Sequence, residues 1–133
     1  MKAIFGKSGK ELAVILQPMD YMMGTDKKFF NNSDETLQIG ALFFTPKTTV
    51  PAHIHKPIAA SSMPMEILLV LAGEVQGGIY DDNKRFVEAI ALRVGDILVQ
   101  KRGGHGFSFS SDARLLEIKR GPYHGKTSDK EML

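Results

Sequence analysis

Short alternating or apolar runs, separated by turn-forming residues, dominate the pattern of hydrophobic and polar positions along this chain. Turn signals recur about every 8–12 residues, which is typical of an all-β sandwich or barrel. A long helix fits nowhere, and we expect at most a short helical turn within residues 20–31. The strand-like runs are residues 11–16, 36–44, 67–72, 97–99, 107–109 and 115–118.

Two segments refine this prediction. Residues 67–72 are apolar on both faces, as in a wall of a sandwich or barrel that is covered on both sides. Residues 78–87 have β-prone ends around a polar cluster and therefore predict a hairpin. Without an internal repeat or a linker, we expect a single domain over residues 1–133, with a barrel core of approximately 36–120 and a frayed end at 127–133.

Composition excludes several classes of protein. The chain is 43% hydrophobic and 24% charged, as in a soluble globular protein. A net charge of +2 is too small to indicate a nucleic-acid partner, and we interpret the basic stretch from Lys119 to Lys130 as a solvated C-terminal segment. The absence of cysteine rules out disulfides, thiolate catalysis and cysteine-ligated metal sites.

The chain carries no targeting or membrane signal that we can identify. Residues 1–10 lack the apolar segment of a secretory signal. The longest strongly apolar run has six residues, whereas a membrane-spanning helix needs about 20. We therefore expect a cytoplasmic protein with no membrane partner. Exposed strand edges in so small a β-protein predict pairing with a second copy as a homodimer.

Three histidines and a glutamate are the candidate functional residues. His53 and His55 are two apart and share a face if they lie in a strand. Glu66 begins the run 67–72, and His105 follows the run 97–99. Imidazole and carboxylate groups together can bind a divalent transition metal, whose identity (Fe, Mn, Ni, Zn or Cu) this ligand set leaves open.

These residues resemble the first of two motifs of the cupin superfamily. That motif, Gly-x5-His-x-His-x3–4-Glu-x6-Gly, is met by His53, His55, Glu66 and Gly73. The six residues between the glutamate and the glycine have the motif's spacing. Ten residues, 56–65, lie before the glutamate where the motif has three or four, and the leading glycine of the motif is absent. We interpret residues 56–65 as an enlarged loop.

The second motif, Gly-x5-Pro-x-Gly-x2-His, resembles the segment that contains Gly95, Gly103 and His105. Lys101 replaces the proline, and one residue is missing before the histidine. The resemblance covers about residues 49–107. It implies a double-stranded β-helix, the cupin jelly roll, in which His53, His55, Glu66 and His105 hold one metal ion.

The resemblance leaves three functions open. The first is a mononuclear metalloenzyme of the oxygenase, isomerase or decarboxylase type, acting on a small, possibly anionic, organic molecule. The second is a module that binds a sugar or another metabolite without turning it over. The third is a metal-free sugar-nucleotide isomerase with a histidine as its base.

Other residues have less specific interpretations. Lys101 and Arg102 stand next to the His105 turn, where they would either pair with an anionic substrate or be solvated. We interpret His124, in a glycine-rich turn, as a surface residue. The methionines favour core or interface packing over lining a ligand pocket, and they include Met19, Met22, Met23, Met63 and Met65.

Overall fold

The structure, a computed structural model, describes residues 1–55, 66–121 and 130–133, except for the side chain of His55. It has one short helix, α1, at Pro18–Tyr21 among these residues. The strands are β1 Lys2–Phe5, β2 Glu11–Ile15, β3 Lys28–Phe29, β4 Leu37–Phe44, β5 Thr49–His55, β6 Glu66–Ala72, β7 Glu74–Tyr80, β8 Phe86–Arg93, β9 Ile97–Gln100, β10 Gly104–Phe109, β11 Ala113–Arg120 and β12 Lys130–Met132.

Two five-stranded antiparallel sheets form the body of the fold. One sheet has the strand order β3-β4-β11-β6-β9, and the other has the order β12-β5-β10-β7-β8. Strands β1 and β2 pair with each other in a separate hairpin. The all-β class predicted from the turn spacing is therefore confirmed, as is the jelly roll that the motif resemblance implied.

The inner faces of the two sheets enclose an apolar core at one end of the jelly roll. Strand β11 alternates between buried and half-buried positions along its whole length, which is the period-two pattern of a strand with one inward face. Phe44 and Phe109 stack with ring centroids 4.5 Å apart. The buried core consists of Leu42, Leu68, Val70, Val75, Phe107, Phe109, Ala113 and Leu115.

The chain ends differ in part from the expectation. The short helix begins at Pro18, so it overlaps only the first residues of the predicted segment. The expected fraying of residues 127–133 is wrong for Lys130–Met132, which pairs with β5 as strand β12. This pairing supplies hydrogen-bond partners to an edge of the second sheet, and local composition does not reveal a partner 75 residues away.

Among the described residues, no helix is long and apolar enough to cross a membrane.

Candidate metal centre

A layer of polar side chains occupies the interior at the other end of the jelly roll. On the first sheet, Lys119 of β11 pairs on one side with Gln38 and on the other with Glu66. Glu66 in turn pairs with Gln100 of β9. All four residues are buried. Because directly paired residues share a face, the four strands together present one inward polar row.

The second sheet places two histidines opposite this row. His53 of β5 pairs directly with His105 of β10, and their rings meet edge to face with centroids 4.9 Å apart. Both residues are buried, at 3% and 2% exposure. Gly103, with φ +76°, forms the tight turn into β10 that brings His105 inward.

Fixed carbonyl acceptors determine which nitrogen of each ring carries a hydrogen. Nδ1 of His53 lies 2.8 Å from the carbonyl oxygen of Pro51, which can only accept a hydrogen bond. Nδ1 of His105 lies 3.1 Å from Oε1 of Gln100, and the amide of that glutamine is oriented by donating to the carbonyl of Arg102 at 2.6 Å. Both Nδ1 atoms therefore donate, and both rings keep Nε2 as the atom that holds a lone pair or a second proton.

The carboxylate of Glu66 faces His105 directly. Its Oε2 lies 3.1 Å from Nε2 of the histidine, and both groups are buried. A lone pair and an ionised carboxylate repel each other at this distance, so the contact is favourable only when a proton or a cation lies between the two atoms.

A second carboxylate, that of Glu117 in β11, lies next to Glu66 on the inner face of the same sheet. It is 3% exposed. Burial, followed by the hydrogen bond and the negative charge of Glu66, raises the pKa of Glu117 to about 8, against the opposing effect of the Lys119 and Lys27 ammonium groups. At neutral pH Glu117 thus keeps its proton, and this interior holds less negative charge than two ionised carboxylates would give it.

The predicted site residues are brought together in part. His53, Glu66 and His105 lie at the same end of the interior. The backbone of His55 lies in β5 next to Lys130, but its side chain falls outside the described part of the chain, as does all of His124. Over residues 1–55, 66–121 and 130–133, no group of three or more histidine, aspartate or glutamate side chains is arranged to hold a metal ion. The metal site predicted from the sequence also includes His55, whose side chain lies outside these residues.

Sequence reasoning missed the residues that surround these side chains. The interpretation of Lys119 as solvated is wrong, because it is 8% exposed and points inward. The alternation Ala113, Leu115, Glu117 places it on the inner face, but the residues between are also apolar or long, so the sequence does not say which face is buried. Gln100 likewise lacks any motif that would mark it as the partner of His105.

Arg102 belongs to the surface. Its Nε donates to Asp82 at 2.6 Å, and its side chain is 79% exposed. The solvated interpretation is the one that its contacts support.

Met19 and Met23 are 70% and 73% exposed, which contradicts core packing for both. Met63 and Met65 lie in the part of the chain that is not described.

Comparisons with known proteins agree with the fold. No family model and no curated protein matches the chain. A cupin-2 domain protein from Shewanella frigidimarina is similar at 15% identity and a TM-score of 0.53, over 72% of this chain and 80% of that one. Oxalate decarboxylase from Lactobacillus farciminis, in a formate complex, is similar at 16% identity and a TM-score of 0.55 over 74% of this chain.

The match to the decarboxylases is partial. This chain spans 27% of the Lactobacillus protein and 24% of the oxalate decarboxylase of Bacillus subtilis, an enzyme with Mn(II) centres that is similar at 15% identity and a TM-score of 0.55. Identities this low show the fold alone. The chain has the fold of the cupin superfamily, as its two motifs predicted.

Proposed function

We propose that this protein is a mononuclear metalloenzyme in which His53, His55, Glu66 and His105 hold one divalent transition metal ion. Its substrate would be a small organic molecule bound inside the polar end of the jelly roll. A metal held there by three imidazoles and a carboxylate supplies a Lewis acid with open positions for a substrate or water.

The contact between Glu66 and His105 carries this proposal. Two atoms that bind one metal ion at about 2.1 Å and at right angles lie about 3 Å apart, and Oε2 and Nε2 are 3.1 Å apart. The carbonyl partners of both Nδ1 atoms support it further, because hydrogen-bonded Nδ1–H groups are what orient metal-binding imidazoles. The Mn(II) centres of a protein with the same fold make manganese a reasonable first metal to test.

A second candidate function rests on the same contact. Without a metal, Glu66 and His105 form a buried pair in which the carboxylate orients an imidazole, an arrangement that suits proton transfer to and from a substrate. This is the metal-free isomerase considered from the sequence. It predicts activity that a chelator leaves unchanged.

Metal analysis of the purified protein decides between these functions. We expect about one equivalent of a transition metal per chain in the wild type, and its loss in His53→Ala and in His105→Ala. Glu66→Gln keeps the size of the side chain and removes its charge, so it should lower the metal content without unfolding the protein. His124→Ala, a histidine outside both motifs, serves as the control and should retain the metal.

Two results would contradict the metalloenzyme. The first is a wild-type protein that stays free of metal after incubation with Mn²⁺, Fe²⁺, Ni²⁺, Cu²⁺ and Zn²⁺ in turn and still binds a small organic ligand. The second is metal content that survives in both histidine variants. The former result would favour a binding module or the metal-free isomerase.

A further inference from the structure

The ring of His105 has a side chain of one cross-strand pair at each of its two nitrogens. Glu66 of β6 and Gln100 of β9 lie directly opposite each other on the first sheet. Oε2 of Glu66 lies 3.1 Å from Nε2 of the ring, and Oε1 of Gln100 lies 3.1 Å from Nδ1. All three residues are at most 5% exposed. Gln100 is thus a buried contact of His105 at the nitrogen that faces away from the Glu66 carboxylate.

Gln100 reaches His105 across the connection between the two sheets. It is the last residue of β9, and His105 is the second residue of β10 in the other sheet. The residues between them are fixed to the end of β7 and the turn after it. A Cβ at Gly103 would collide with the last carbonyl oxygen of β7, and Arg102 forms an ion pair with Asp82. The backbone carbonyl of Arg102 therefore has a defined position beside Gln100.

This carbonyl determines which end of the Gln100 amide faces the ring. A carbonyl oxygen can only accept, and Nε2 of Gln100 donates to that of Arg102 at 2.6 Å. Turning the amide over would bring two oxygens together and point an N–H toward His105. Oε1 is therefore the atom that faces Nδ1, and their hydrogen bond forms only when Nδ1 carries a hydrogen.

Glu66 and Gln100 favour different positions for the hydrogen of the ring. A neutral imidazole has one N–H. With Glu66 as its single acceptor, that hydrogen would lie on Nε2 and would occupy the lone pair that a metal ion needs. Gln100 opposes this arrangement, because a bare Nδ1 would then face Oε1 at 3.1 Å, lone pair against lone pair.

We propose that Gln100 is a positioning residue of the candidate metal centre, which keeps a hydrogen on Nδ1 of His105 and thereby leaves Nε2 to bind the metal beside Glu66. The inference deepens the proposed function and rests on it for the metal, whereas the state of the ring is a property of the protein itself. In known metal sites, losing the hydrogen-bond partner of a metal-binding imidazole weakens metal binding about 10–100-fold.

Gln100→Met tests this role, because methionine has a similar length and only a weakly accepting sulfur. Titration with Mn²⁺ in competition with a chelating indicator measures the metal affinity, which we expect to fall about 10–100-fold. Gln38→Met is the matched control. Gln38 is also buried in the inward polar row, but its amide donates to the backbone carbonyls of Asn32 and Glu35. This variant should bind the metal within about threefold of the wild type.

Long-range proton–nitrogen NMR spectra of the metal-free protein show which ring nitrogen carries a hydrogen. His105→Ala identifies the signals of this ring by their loss. We expect Nδ1 of His105 to carry a hydrogen in the wild type and in Gln38→Met. In Gln100→Met, the hydrogen of the neutral ring should instead lie on Nε2, toward Glu66. A role of Gln100 in packing alone would not move this hydrogen.

Several results would overturn the positioning role. A bare Nδ1 in the wild type would do so even if neither methionine variant folds. Equal losses of metal affinity in Gln100→Met and Gln38→Met would do so too, as would unchanged affinity in folded Gln100→Met. A wild type that takes up no metal would contradict the metalloenzyme, and a hydrogen that moves in Gln100→Met would then still uphold the positioning of the ring by Gln100.

Discussion

Replacing Glu117 by glutamine should remove most of the pH dependence that this residue gives to the free energy of unfolding. The pKa of Glu117 is raised from 4.5 to about 8 in the folded state, chiefly by burial. Between these values the unfolded chain loses the proton and the folded chain keeps it. The free energy of unfolding therefore falls as pH rises, and the contribution that is complete below pH 4.5 is lost by about pH 8.

The size of this change in the free energy of unfolding follows from the difference between the unfolded and folded pKa values of Glu117. The limiting slope for one proton is about 1.4 kcal/mol per pH unit. From 4.5 to about 8, this slope sums to an upper bound of about 5 kcal/mol. Glutamine has the same shape, stays neutral and can still donate a hydrogen bond to Glu66. The variant should thus match the wild type near pH 5 and be more stable than it near pH 8.

Urea denaturation followed by circular dichroism, at one-unit steps from pH 5 to 8, measures this difference. A chelator keeps metal away from Glu66, so that only protons titrate the pair. Glu88, an exposed glutamate in β8, provides the matched control. The stability difference between Glu88→Gln and the wild type should change little with pH. A stability difference between Glu117→Gln and wild type that is constant over this range would refute the buried, protonated carboxylate.

Three further predictions concern the core, a turn and the sheet edges. Leu115 is 1% exposed, so Leu115→Ala should lower the free energy of unfolding by about 2–5 kcal/mol in urea denaturation. Gly73 has φ +77°, and a Cβ there would collide with the carbonyl of Asp112, so Gly73→Ala should lower thermal stability by roughly 1–3 kcal/mol in calorimetry. Phe86 and Ile97, each 59% exposed, lie on the edge strands β8 and β9, and sedimentation at micromolar protein should give twice the 14.7 kDa chain mass.

For each of these three predictions, one result would contradict the reasoning. Leu115→Ala costing less than about 1 kcal/mol would mean that the surrounding side chains close the cavity. Gly73→Ala without any loss would show that the turn can adopt another backbone conformation. A monomer at all micromolar concentrations would refute the homodimer, whereas Phe86→Glu converting a dimer to a monomer would place its interface at β8.

The sequence predicted the strands well because their signals are local. Residues 67–72 and 115–118 read as strands from their own composition, and β6 and β11 contain them. The glycine spacing after Glu66 correctly placed that glutamate at the start of β6. The same local reasoning failed for Lys130, because its strand β12 forms by pairing with β5, which is distant in the sequence.

By itself, the sequence determined the all-β class, the jelly-roll resemblance and the identity of His53, His55, Glu66 and His105 as candidate ligands, because strand period and motif spacing are properties of neighbouring residues. Only the tertiary structure decided what surrounds them. Lys119 and Glu117 come next to Glu66 through the pairing of β11 with β6, about 50 residues apart along the chain. Which face of β11 is buried depends on the second sheet, so the charge of the site is a property of the assembled fold.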